Sequence, residues 1–491
     1  MSGVHTSPSL RWFQFLDGQG LRSLGVFAIL VFAFYLRWTV GLNPYSGYST
    51  PPLYGDYEAQ RHWMEITLHL PISQWYRYDL QYWGLDYPPL TAYVSWICGY
   101  VGQYFNPEWF LLDSSRGYES VESKLYMRAT VIFFEYLIYI PAMVFFYKHW
   151  AKNTNWSTKN AALLLVLLQP ALILIDNGHF QYNSIMLGLT AWAVVCFLCD
   201  LDVIGSVMFC LALSFKQMAL YYALPIFAYL LGKCIKRRTE GFFLLIKLGI
   251  TVVLTLGVCL APFLTSTSDL LQVAHRVFPV ARGLYEDKVA NVWCAISIFV
   301  KLRSLFNLEK LVQISALTTL LCSAPSFVNL LLNPTKKRLI YSLCVVSLSF
   351  FLFSFQVHEK TILLPILPVS MLILEEPVAV PWFINVATFS MFPLLKRDGL
   401  MIPYFIMLCL WNWLGNFLER PKKYTLVLNL LSYVTMVAIH ALEFLVVPPA
   451  KYPDIFTMLN VIFSCGMFTL FFVYFNYRQL TTSTKSKKKT Q

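Results

Sequence analysis

Runs of about 20 apolar residues recur from one end of this chain to the other, and nothing else in it constrains the fold as much. A bilayer core about 30 Å thick asks for about 20 apolar residues per helix. In hydrocarbon every backbone N–H and C=O must be paired within the protein, which leaves helices or a closed barrel. Of the 491 residues, 57% are hydrophobic and 13% charged, about half the charge of a soluble domain. The chain therefore reads as an all-α polytopic membrane protein. No linker interrupts the apolar runs, so residues 1–491 read as one membrane-embedded unit.

About fourteen spans are expected, over 21–41, 125–147, 159–176, 181–199, 202–215, 217–233, 242–264, 311–332, 338–355, 361–374, 380–394, 400–418, 425–446 and 455–477. The first lacks a small-residue cleavage pattern and reads as a signal anchor. The stretch 90–105 is apolar but short, and is expected as a membrane-surface or re-entrant helix. Net charge is +12. In a soluble protein that would suggest nucleic acid, but here the basic residues gather between apolar runs and mark topology instead. With the N-terminus in the cytosol, five basic clusters fall on one side: Lys148/Lys152/Lys159, Lys233/Lys236/Arg237/Arg238, Lys336/Lys337/Arg338, Arg420/Lys422/Lys423 and the tail, 478–491, with Lys485/Lys487/Lys488/Lys489. Lys488 and Lys489 also resemble a dilysine retrieval signal for the endoplasmic reticulum, which must face the cytosol. Most of the eleven cysteines lie inside apolar runs and imply no disulfide framework.

The polar, motif-like stretches all fall on the other, lumenal, face. They are Asp56–Trp63 and Gly84–Pro89 in a first loop over 42–124, with Ser115–Ser120 behind them. Asp176–Asn183, Lys216-Gln217-Met218, Arg282–Trp293 in a loop over 265–310, and Gln356–Lys360 complete the set. Ionisable groups in or near a bilayer are costly and by default mark function, so motifs converging on one face predict one composite site.

Asp56 is the candidate general base, with the alternative that it merely caps a helix. Asp86, before Tyr87-Pro88-Pro89, is a second carboxylate or a turn former. Glu58 and His62 share one helix face, as do Arg61 and Glu65. They read either as the solvated side of a surface helix or as substrate contacts, and His179 and Gln181 join them as binding candidates. His358 and Lys360 suit a phosphate, with Arg282 and Lys288 as further cations held by Glu286 and Asp287. Lys216, in an apolar context, demands a partner, for which Asp176 or His179 is expected. No metal site is expected. His358-Glu359 begins an HExxH that Ile362 breaks, and Asp200-Leu201-Asp202 lies on the cytosolic side and reads as a turn. No dinucleotide or nucleotide fingerprint appears, and no cofactor is expected. The sequon at Asn155 is also cytosolic.

GDYEAQRHW, QYWGLDYPPLTAY, SRGYES, GHFQYNS, KQM, RGLYEDKVANVWC and FSFQVHEK together resemble the endoplasmic-reticulum glucosyltransferases that extend the dolichol-linked oligosaccharide. The likeness is nearest to the dolichyl-phosphate-glucose-dependent α-1,3-glucosyltransferases that add the first glucose. The resemblance implies a type C glycosyltransferase (GT-C) fold with the catalytic carboxylate in the first lumenal loop. It implies dolichyl-phosphate glucose as donor, a nine-mannose oligosaccharide on dolichyl pyrophosphate as acceptor, and metal-independent inversion. The alternatives are the sister enzyme that adds the second glucose and a lipid-sugar transporter, although the chain shows no internal repeat.

Overall fold

The computed structural model describes residues 7–278, 288–415 and 422–482. Every regular element among them is helical. Eight helices are by themselves long and apolar enough to cross a membrane: Arg22–Gly41, Val121–Trp150, Trp156–Phe180, Gln217–Lys236, Thr239–Phe263, Leu308–Leu332, Lys423–Leu445 and Ile455–Thr481. Four shorter apolar helices, Asn183–Leu198, Asp202–Phe215, Ala379–Ser390 and Met401–Gly415, fall on four more of the expected spans. The last two expected spans correspond to Lys336–Phe353, whose first turn is basic, and to Leu363–Met371, which a 3-10 turn over Glu359–Ile362 introduces.

Burial separates a central layer from a rim. Trp156–Phe180 is enclosed from residue 160 onward, whereas the most apolar window of Thr239–Phe263 is only 11% buried. The outer helices present Phe242, Phe243, Val253 and Val258 outward, a surface that suits hydrocarbon and not water. The central layer comprises Trp156–Leu198 and Lys336–Ser390, whose buried apolar residues pack into one continuous core.

One charge pair crosses that core. Arg37 Nε lies 2.8 Å from Glu135 Oε2, both side chains essentially inaccessible. Arg37 also donates to the Ala33 and Leu167 carbonyls, and Asn177 Nδ2 donates to Glu135 Oε2 at 3.0 Å. Glu135 opens a π-helical turn, Glu135–Tyr139, inside the Val121–Trp150 helix. Such turns re-aim side chains within a helix.

At one end of the bundle, loops that the basic pattern grouped together do meet. Lys233 pairs with Asp200 and Asp202, Lys336 with Asp200, and Arg478 with Glu376. The Asp200-Leu201-Asp202 turn is thus spent on lysines. The end of the tail, with Lys488 and Lys489, lies outside the described residues.

At the other end, the first long loop folds into two helices, Asp56–His69 and Pro89–Gly102. They pack so closely that a Cβ on Gly99 would sit 3.0 Å from the Met64 carbonyl oxygen. Pro89 stands in the first turn of the second helix, where its missing N–H costs nothing. The 90–105 stretch is therefore a short packed helix. A second apolar core, with Trp63, Ile66, Trp75, Tyr76 and Leu85, lies under this loop and is closed by Phe263, Val273 and Val277. Helix Thr267–Val277 is pinned there by Arg77 to Asp269 at 2.9 Å and by Gln272 to the Tyr76 carbonyl.

Replacing Arg37 alone by leucine should leave Glu135 buried without its cation and destabilise the fold by about 3–5 kcal/mol. Arg37→Leu with Glu135→Met should recover most of that loss. Thermal unfolding of the purified variants in detergent measures both.

Candidate active site

The site begins with a tight crossing of backbone. Gly47 has φ +80, and a Cβ there would fall 2.1 Å from Tyr54 carbon. A Cβ on Gly55 would fall 2.7 Å from the Ser46 carbonyl group. Both positions are glycine because two strands of chain touch. Tyr45 and Tyr57 stack across the crossing with centroids 3.9 Å apart. The SRGYES stretch buttresses it: Gly117 (φ +67) sits against the Tyr54 ring, and Glu119 accepts from Tyr45 Oη at 3.1 Å and from Ser49 N–H at 3.0 Å.

Asp56 emerges from this crossing as the first residue of its helix. The N-cap position belongs to Gly55, and Asp56 caps nothing. The Asp56 N–H instead meets Ser46 Oγ at 3.3 Å. The carboxylate is met by side chains from two distant segments. His179 Nε2 lies 2.8 Å from Oδ2, Gln181 Nε2 donates to the same oxygen at 2.6 Å, and Lys360 Nζ forms an ion pair with it. Oδ1 takes no hydrogen bond from the described residues. Burial by itself would raise the Asp56 carboxyl. Lys360 and then His179 more than offset that, and the group is held well below the usual carboxylate range.

His179 comes from the π-helical end of the enclosed helix, Ile173–Phe180. Its carbonyl accepts from Ser46 N–H at 3.0 Å, and Arg128 donates to the Gly178 carbonyl at 2.7 Å. On its far side, His179 Nδ1 lies 2.5 Å from Asp398 Oδ2. Asp398 sits in the polar turn that links Phe392–Arg397 to Met401–Gly415. It was not among the sequence candidates.

Asp56 faces a cleft of about 570 Å³. Its walls bring together Asp86, His179, Gln181, Lys216, Gln217, His358 and Lys360, all singled out in the sequence, with Arg276 and Arg397, which were not. Arg276 donates to the Gly84 and Leu85 carbonyls at 2.8 and 3.1 Å and so orders the segment before Asp86. Lys216 Nζ donates to Asn183 Oδ1 at 2.7 Å and lies 4.7 Å from the centre of the Tyr87 ring. Its direct partner is thus Asn183, in place of the Asp176 or His179 expected. Asp176 acts one step back, accepting from Asn183 Nδ2 at 2.9 Å. Burial and then the nearby Lys360 charge lower the Lys216 ammonium to about 8.

Glu58, Arg61 and His62 stand elsewhere. The expectation of a solvated face is overturned, because all three are buried. The face of the helix carrying Asp56, Gln60 and Trp63 lines the cleft, and the opposite face holds a closed ionic cluster. Arg61 meets Glu58 at 2.6 Å, Glu65 at 2.7 Å and Ser115 Oγ at 2.6 Å. Tyr82 Oη donates to Glu58 at 3.0 Å, and Glu65 accepts the Asp113 N–H at 2.7 Å. His62 is packed beside Glu65 and Tyr82. Helical spacing assigned these residues to a shared face correctly, but that face meets the 109–115 segment and not water. Lys288 pairs with Asp454 at 3.0 Å beside a separate cavity of about 280 Å³. Arg282 lies outside the described residues, as do Glu286 and Asp287.

Residues 33–474 match the ALG6, ALG8 glycosyltransferase family. The chain is 50% identical over 447 residues to a probable dolichyl pyrophosphate Man9GlcNAc2 alpha-1,3-glucosyltransferase of Schizosaccharomyces pombe, covering 89% of this chain and 88% of that protein. It is 44% identical over 492 residues to the Gallus gallus dolichyl pyrophosphate Man9GlcNAc2 alpha-1,3-glucosyltransferase (93% and 97% covered). It is also 44% identical over 510 residues to the Saccharomyces cerevisiae protein of the same name (96% and 94% covered).

The crossing at Gly55 sets where Asp56 points. Gly55→Ala should lower the turnover of the family's transfer reaction by about 100-fold through a displaced carboxylate. Gly249→Ala, where a Cβ meets nothing within 4 Å, should leave it unchanged. Turnover and melting temperature measured side by side check both.

Proposed function

We infer that this chain, which belongs to the ALG6, ALG8 glycosyltransferase family, adds the first α-1,3-linked glucose to a nine-mannose oligosaccharide on dolichyl pyrophosphate. Its relatives' names specify Man9GlcNAc2, an acceptor without glucose, which supports this reading over the sister enzyme for the second glucose. The chain is an α-1,3-glucosyltransferase and a multi-pass membrane protein of GT-C type. In our reading the donor is dolichyl-phosphate glucose, the protein resides in the endoplasmic reticulum, and the cleft faces the lumen with both termini in the cytosol.

The observation that carries the mechanism is the Asp56–Lys360 pair at the cleft wall. Inversion needs a base on the acceptor hydroxyl, on the side of the sugar opposite the leaving group. Asp56 is that base. It is ionised, and among the described residues its neighbours' side chains take up Oδ2 and leave Oδ1. The leaving group is a lipid phosphate, stable as an anion, so it requires no general acid. It gains from positive charge near its developing charge. Lys360 and His358 supply that charge, with Arg276 and Arg397 on the same walls. Arg282 belongs to the same proposal through sequence alone, whereas Lys288 is already paired.

One group then does two things. With the cleft empty, Lys360 holds Asp56 and depresses its basicity. A donor phosphate competes for the same ammonium. As Lys360 turns to the phosphate, its hold on Asp56 weakens and the carboxylate becomes a better base when there is something to transfer. Asp86 lines the same cleft and is assigned to orienting the acceptor.

Purified protein in detergent, given a dolichyl-phosphate-glucose analogue and unglucosylated lipid-linked oligosaccharide, should transfer one glucose. An acceptor already bearing one glucose should be a poor substrate, and the reverse preference would reassign the chain to the second step. Asp56→Asn should reduce transfer at least about 100-fold while donor binding persists, and Asp86→Asn should chiefly raise the KM for acceptor. Normal turnover by Asp56→Asn would remove Asp56 from the mechanism.

A further inference from the structure

Three carboxylate and imidazole groups from distant segments form one hydrogen-bonded line: Asp56, His179 and Asp398. The His179 ring bridges the two acids, with Nε2 2.8 Å from Asp56 Oδ2 and Nδ1 2.5 Å from Asp398 Oδ2. The ring is almost wholly buried and the Asp398 side chain is 3% exposed. A buried carboxylate is costly unless something answers its charge. Here Asp398 faces an imidazole that in turn touches the proposed base. Lys396 of the same turn pairs with Glu443 and Arg397 lines the cleft, while the side-chain hydrogen bond of Asp398 goes to His179.

We propose that Asp398 is a positioning residue for the transfer reaction: it accepts the Nδ1–H of His179, aims Nε2–H at Asp56 Oδ2, and so holds the carboxylate with Oδ1 turned to the acceptor hydroxyl. This rests on Asp56 being the base. The balance is complete within the site. The acceptor oxygen forms its bond to the sugar carbon, and the carbon–oxygen bond to phosphate breaks with the electron pair leaving on phosphate. The acceptor proton passes to Asp56 Oδ1, and His179 keeps both of its ring protons throughout, one toward each acid. The proton leaves to water once product has gone.

Lys360 fits this arrangement. Its Nζ is 3.2 Å from His179 Nε2 and paired with Asp56, so the lysine and the ring meet at the same carboxylate oxygen. Once Lys360 engages phosphate, His179 and Gln181 still hold that oxygen. The backbone that carries the ring is held as well: the His179 carbonyl takes Ser46 N–H, and Arg128 anchors the preceding carbonyl.

A double-mutant cycle tests the assignment, read as kcat and donor KM of the full-length protein in detergent. Asp398→Asn replaces the anion at Nδ1 with a neutral amide, which holds the ring and its Nε2–H less firmly against Asp56. It should lower kcat about 100-fold, with donor KM within about threefold of wild type. In a His179→Gln background the same change should cost almost nothing further, because its effect travels through the ring. Equal losses in both backgrounds, or near-normal kcat for Asp398→Asn, would overturn the proposal. Should the asparagine variant not fold, Asp398→Glu is compared in the same two backgrounds. A loss confined to the His179 background supports the positioning role, and an equal loss in both refutes it. Failure of the wild-type protein to transfer glucose would strike the functional reading instead, so the two failures are told apart.

Discussion

A lysine and an aspartate separated by about three hundred residues of membrane-spanning chain meet at one oxygen atom, and the site depends on that meeting. Asp56 is delivered by a helix of the first long loop, and Lys360 by a 3-10 turn that opens a late span. Neither position tolerates much error, because the shared oxygen also receives His179 and Gln181. Much of the surrounding architecture serves this convergence. The glycine crossing at Gly47 and Gly55 fixes one partner, and the π-helical end of the enclosed helix fixes the histidine. The Thr361 hydroxyl, accepting the His358 N–H at 3.3 Å, shapes the turn before Lys360.

The electrostatics of the cleft follow from its composition. Among the described residues Lys216, Arg276, Lys360 and Arg397 line the cleft with three carboxylates, Asp56, Asp86 and Glu359, a basic balance that suits phosphate-bearing lipids. A hydrophobic bundle can hold such a cleft only by ordering its charges locally. The Arg37–Glu135 pair and the Arg61 cluster do this away from the chemistry. Both keep charge inside the protein by setting it against the opposite charge.

Much of this was legible in the sequence. Span alternation put Asp56, Asp86, His179, Gln181, His358 and Lys360 on one face before any contact was known, and the cleft gathers all six. Asp398 was passed over because Lys396-Arg397-Asp398-Gly399 looks like an ordinary polar turn between apolar runs. A signal was present: that turn sets two basic residues on the face where basic clusters are otherwise sparse. Glu58, Arg61 and His62 were given to water or to substrate, since periodicity tells which residues share a helix face and not what the face meets. Only the return of the 109–115 segment over that face, with Ser115 and the Trp109 carbonyl on Arg61, decides it.

The enclosed helix, Trp156–Phe180, carries a consequence for how the protein is made. From 160 to 180 every residue is buried, and helices Ala379–Ser390 and Met401–Gly415 supply part of the cover. A ribosome delivers the helix to the bilayer long before those two exist. During synthesis that flank must therefore rest against lipid or against an assembly factor. His179 acquires Asp398 only when the turn at 396–399 arrives. Competence for chemistry is thus a late event in biogenesis, and a nascent chain that already displays the whole GDYEAQRHW motif still lacks the means to use it.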